Sequence, residues 1–163
     1  MIRNILLSTV AALLVATTAQ AKVDGMVKEI VVEVDLTALV NPAAATRYAT
    51  IATDLQGALA ARLVDRIADE GMRLSIDLSE VELSNSFQDA VGLADTKLVG
   101  NVKFSDENNN TNFEAYELTV SYDQAQAFFV EGVDYSKLGA DTDEHYKAMI
   151  DAFADSVVRR MDE

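Results

Sequence analysis

The chain contains no cysteine and no tryptophan, and it has a single proline and a single histidine. Without cysteine it forms no disulfide and no thiolate metal site, has no thiol nucleophile and offers no sulfur for lipid attachment. One histidine, His145, excludes a multi-histidine metal centre. Positive charge is scarce: 13 lysines and arginines face 27 aspartates and glutamates, for a net charge of −14. Such a surface repels a phosphate backbone, so nucleic acid is excluded as a partner on bulk electrostatics. With 50% hydrophobic residues the composition is globular rather than that of an acidic disordered tail. The one long apolar run, Ile5 to Ala16, is broken only by Ser8 and Thr9. It follows Arg3 and precedes Ala19-Gln20-Ala21. This is the layout of a secretory signal peptide over residues 1–21, cleaved before Lys22, and the run is shorter than the roughly 20 residues that span a bilayer. The expected product is a single domain, residues 22–163, in the bacterial periplasm and not spanning a membrane.

Along that domain the hydrophobic period changes repeatedly. Val27 to Leu39 alternates, with Ile30, Val32, Val34 and Leu36 on one side and Val31, Glu33, Asp35 and Thr37 on the other, which predicts a half-buried strand. Asn41-Pro42 supplies an N-cap followed by proline at the first helical position, and an alanine-rich run then reaches Gly71, which predicts a long helix. Its apolar stripe is Tyr48, Ile51, Ala52, Leu55, Leu59, Leu63 and Ile67, with Thr46 and Thr50 as alternative caps. Leu74, Ile76 and Leu78 form a second strand, and the slip after Ser79-Glu80 marks a bulge or a strand end. Asn85 to Asp95 reads as an irregular connection.

Thr96 to Phe104 and Phe113 to Tyr122 alternate on either side of the polar stretch Ser105 to Asn112, which predicts a hairpin. Asp123 to Tyr135 suits a short strand and a helical turn equally. Tyr146, Met149, Ile150, Phe153, Ala154, Val157, Val158 and Met161 fall at steps of three and four, the signature of an amphipathic helix. Asp141 and Glu144 resemble a capping box at its start, and Arg159-Arg160 suit its negative end. Half-apolar strands and two apolar helical stripes predict an α+β two-layer sandwich. Its mixed, mainly antiparallel sheet of about four strands carries two main helices on one face, in the order β-α-β-β-β-α. The β-α-β opening is compatible with a parallel pair and a right-handed crossover.

No catalytic, cofactor-binding or metal-ligating residue is assigned. Asp106, Asn108, Asn110, Asn112, Glu114 and Glu117 recur at alternate positions, as oxygen ligands of a calcium loop do, but Thr111 stands where the sharp turn needs glycine. Asn and Asp at a hairpin tip are expected to bond their own backbone instead. His145, beside Asp143 and Glu144, reads as an exposed first-turn residue. The acid pairs Glu33/Asp35, Glu80/Glu82 and Asp141/Asp143 suit a glycosidase-like arrangement but are more simply solvating.

The element order, with Ala94-Asp95-Thr96-Lys97-Leu98-Val99-Gly100-Asn101-Val102 as the opening of its third strand, resembles the small periplasmic domains found at the N-terminus of TolB and in the curli-secretion protein CsgG. The chain departs from them in having no lipobox cysteine. The resemblance implies an assembly or interaction domain of envelope machinery and brings no catalytic residues with it. The expectation is therefore an exported, non-enzymatic protein that contacts an envelope protein partner in cell-envelope assembly or maintenance. A periplasmic small-ligand or cation-binding protein and a carboxylate-based hydrolase are the alternatives.

Overall fold

The computed structural model describes residues 25–39, 41–80, 82–83, 96–111, 113–132 and 142–163. The signal peptide, the cleavage site before Lys22, the connection from Asn85 to Asp95 and the capping residue Asp141 lie outside the described residues. Four strands make one sheet, β1 (Val27–Glu33), β2 (Met72–Leu78), β3 (Lys97–Ser105) and β4 (Phe113–Ser121), arranged side by side in chain order. β1 and β2 run parallel, while β2, β3 and β4 are antiparallel. The fold is α+β. Helix α1 (Pro42–Arg47) leads into α2 (Ile51–Arg62), a short α3 (Tyr122–Ala125) follows β4, and α4 (Asp143–Asp162) closes the chain.

Alternation sorts the strands' side chains onto two faces. Ile30, Leu74, Ile76, Leu78, Leu98, Val102, Phe104 and Val120 join the core. Leu55 and Leu59 of α2 and Met149, Phe153 and Val157 of α4 meet them there. Phe153 and Phe104 are fully buried. Gly100 permits the close approach of α4: a Cβ there would lie 3.2 Å from Phe153 Cζ and 3.1 Å from Leu78 Cδ2.

Several boundaries differ from the periodicity. The first strand stops at Glu33 instead of running to Leu39, because Asp35 Oδ1 accepts from the Thr37 amide at 3.0 Å and starts a 3₁₀ turn over Leu36–Ala38. The long helix is broken at Tyr48 to Thr50. Asn41 caps α1 as expected, accepting from the Ala43 amide at 2.9 Å, and Thr50 occupies the N-cap position of α2. α2 ends at Arg62, well before Gly71, and Ile67 leaves the helical stripe, 47% exposed, to bridge with Val27. Gly71 has φ +150°, and a Cβ on it would come within 2.5 Å of the Met26 carbonyl oxygen, so the entry to β2 requires glycine. The slip after Ser79 is a strand end. Tyr122 belongs to α3 rather than to the last strand, and Asp123 to Phe128 is helical, continuing as a 3₁₀ turn over Gln126–Phe128. The cap of α4 is Thr142, whose side chain accepts from the His145 amide at 3.3 Å.

Asp151 is not on an open face of α4. Its carboxylate accepts from Arg62 of α2 at 3.0 Å and from Lys147, with only 18% of its side chain exposed. Burial raises its pKa, but the hydrogen bonds and charges of Lys147 and Arg62 outweigh that and hold it below the ordinary 3.8. A lowered folded-state value means that the stabilisation is complete above the unfolded value and disappears as the pH falls through the folded one.

Two stability measurements check this packing. Phe153→Asp is expected to abolish cooperative thermal unfolding, since truncating a buried phenylalanine alone costs about 3–5 kcal/mol before the charge is counted. Asp151→Asn is expected to cost about 1 kcal/mol near neutral pH and to flatten the acid loss of melting temperature below about pH 4. An unchanged acid profile in that variant would show that Asp151 does not tie α2 to α4.

Candidate functional site

His145 lies in the first turn of α4 and is 6% exposed, contrary to the surface position expected of it. Its Nε2 is 3.1 Å from the Thr96 hydroxyl, and its ring stacks on Tyr122 at 5.7 Å with Phe129 at 6.4 Å. The physical reason is periodic: His145 continues the step of four through Met149, Phe153, Val157 and Met161, so the helix turns it inward. A hydroxyl beside an imidazole is also the geometry of a base-activated nucleophile. Here Thr96 is itself 3% exposed, and the adjoining cavity, lined by Tyr48, Leu83, Thr96, Lys97 and His145 among others, measures about 30 Å³. That is room for about one water beside the pair. The arrangement locks the start of α4 onto the start of β3.

Of the acid pairs, Asp35, Glu80, Glu82 and Asp143 are drawn into local structure. Asp35 holds its own turn, and its backbone amide donates to Glu80 Oε1 at 2.7 Å. The two hydrogen bonds from Thr37 hold the Asp35 carboxyl below the usual range. Glu82 pairs with Lys97 at 2.9 Å, and Asp143 with Arg47 at 2.9 Å. In the hairpin tip, Asp106 Oδ1 accepts from the Asn108 amide at 2.8 Å and Asn109 Oδ1 from the Thr111 amide at 3.1 Å. Glu114 and Glu117 sit on opposite faces of β4, so they do not converge with the tip. Among the described residues no group of three or more His, Cys, Asp or Glu is placed to hold a metal ion.

The two edges of the sheet differ. At β1, Gln56 of α2 donates to the Ile30 carbonyl at 2.9 Å, the Ala68 amide donates to Val27 at 3.1 Å, and the register shifts between Val27 and Glu29. Those three features blunt that edge. β4 has none of them: it pairs with β3 through nine consecutive residues without a shift. Because the Tyr122 amide bonds to the Thr96 carbonyl at 3.1 Å, the hydrogen-bonded pairs of this ladder include Leu98 with Val120 and Val102 with Tyr116. The backbone groups of Phe113, Ala115, Glu117 and Thr119 therefore point outward, and among the described residues only the Ser121 amide is met, by Gln124 Oε1 at 2.8 Å.

Alongside this edge, between β4 and the last turns of α4, lies a groove of about 340 Å³ lined by Tyr116, Glu117, Leu118, Gln124, Arg159 and Arg160. Arg160 donates to Glu114 at 3.0 Å and lies over the Tyr116 ring at 5.4 Å. Burial, reinforced by the Glu114 charge, raises the Tyr116 pKa, and its hydroxyl is buried without a hydrogen-bond partner. The edge is the feature that sequence reading did not place. Alternation marks β4 as a strand, but only the spatial order of the strands makes it an outer one.

Substitution of His145 distinguishes packing from surface. His145→Ala is expected to cost about 2–3 kcal/mol, through the lost ring contacts and the lost hydrogen bond to Thr96, while Glu144→Ala next to it stays within about 0.5 kcal/mol of the parent. Chemical denaturation of the three proteins reads this directly, and equal midpoints would return His145 to the surface. No family model, curated protein or solved structure matches this chain, so its function is argued from the geometry above.

Proposed function

We propose that the chain is exported, loses its signal peptide before Lys22 and works in the periplasm as a non-enzymatic protein that contacts another envelope protein in assembly or maintenance of the cell envelope. The observation that carries this reading is the open edge of β4. A strand whose outward N–H and C=O groups are unpaired accepts an extended segment of another chain as one more strand, and the main-chain bonds supply the affinity. The export pattern of residues 1–21 and the resemblance of the element order to TolB- and CsgG-type envelope domains support the same reading. Among the described residues no helix is long and apolar enough to cross a membrane.

Two measurements bear on it. The intact mass of protein recovered from the periplasmic fraction is expected to correspond to a chain beginning at Lys22, and full-length chain in the membrane pellet would overturn the export reading. Ala115→Pro removes one outward amide without touching a bond to β3, because proline is tolerated where the missing N–H faces solvent. The variant is expected to melt close to the parent and to lose crosslinking to its partner in intact cells. Undiminished crosslinking would move the contact away from this edge.

A further inference from the structure

Resting on that reading of the β4 edge, we infer that the occupant is an extended segment of a different protein that places a lysine or arginine beside Glu117. The positions of charge along the edge lead there. Glu117 is the middle residue of β4, it is exposed, and the residue across from it on β3 is Asn101, which carries no charge. The other glutamate of the strand, Glu114, is already held by Arg160, and the nearby Lys103 lies over the Phe113 ring at 5.7 Å. Among the described residues the carboxylate at the centre of the edge forms no ion pair. In an added strand, the side chain directly across from Glu117 stands within about 4.5–5.5 Å of it, where opposite charges attract and like charges repel.

The same geometry argues against a second copy of this chain. Antiparallel pairing of two β4 edges about their centres sets Glu117 against Glu117, between molecules that each carry a net charge of −14. The neighbouring side chains of the occupant turn to the other face, beside Tyr116 and Leu118, and enter the groove of about 340 Å³. The groove's lining by Tyr116, Leu118 and Gln124 leaves room for small polar side chains. The segment that fits alternates basic residues with small polar ones.

Two synthetic peptides of the nine-residue length of β4 test this, one alternating threonine with lysine and one alternating threonine with glutamate. Their binding to the purified protein is measured by calorimetry or fluorescence anisotropy. The lysine peptide is expected to bind about three- to tenfold tighter than the glutamate peptide, and Glu117→Lys to reverse that order. Ala115→Pro is expected to lose the binding of both peptides while keeping its net charge. Thr119→Pro, whose amide faces outward in the same way, replaces it if the first variant does not fold. If the proline variant binds the lysine peptide as the parent does, overall charge and not the edge attracts it, and both the edge reading and this inference fall. If the proline variant loses binding but Glu117→Lys keeps the parent's preference, the edge stands and the assignment to Glu117 falls.

Discussion

Phe153 lies with its Cζ 3.2 Å from the point where a Cβ on Gly100 would be, so the hydrogen at this position lets α4 settle closely on β3. Seating α4 at this depth brings Met149, Val157 and Met161 onto the same layer as Leu74, Ile76 and Val102 and closes the core from one side. It also sets the place of α2, which fills the space between α4 and β1 with Leu55 and Leu59. At the start of α4 the depth is held by His145, whose ring lies between the Thr96 hydroxyl and the Tyr122 ring. A larger side chain at residue 100 would lift the helix and loosen each of these contacts together.

Cations are scarce in so acidic a chain, and the fold uses them as ties between elements. Arg47 joins the end of α1 to the start of α4, Arg62 joins α2 to the middle of α4, and Arg66 reaches its end at Asp162. Arg160 joins α4 to β4, Lys97 holds Glu82, and Lys28 reaches across to Glu107 at the hairpin tip. Most of these pairs keep one partner in solvent, so each contributes little alone. Their joint effect is to place positive charge between elements whose acids would otherwise repel. Among the described residues Glu117 stands outside this network, at the centre of the edge formed by β4.

Legibility in the sequence followed the range of the interaction involved. The alternation of Leu74, Ile76 and Leu78 and the stepped stripe of α4 are local patterns, and the structure keeps them. Asn41 capping ahead of Pro42 is equally local and held. Departures came where a competing contact was itself local but weak in pattern, as when Asp35 turned the chain early for the Thr37 amide, or where a distant segment intervened. Ile67 left its stripe to bridge Val27, forty residues earlier in the chain. His145 was misplaced for a different reason. Its polarity suggested solvent, although its step of four from Met149 pointed inward.

What the sequence by itself determined is the four strands and the closing helix, their apolar faces, the absence of thiol and multi-histidine chemistry, and the acidity of the chain. These follow from composition and from periods of two and of three to four, which a chain carries before it folds. What only the tertiary structure decided is the order of the strands across the sheet, the burial of His145 and Thr96, the partners of the acids and the openness of β4. Each of these depends on which residues far apart in the chain come within a few ångströms, and no one-dimensional pattern encodes that distance.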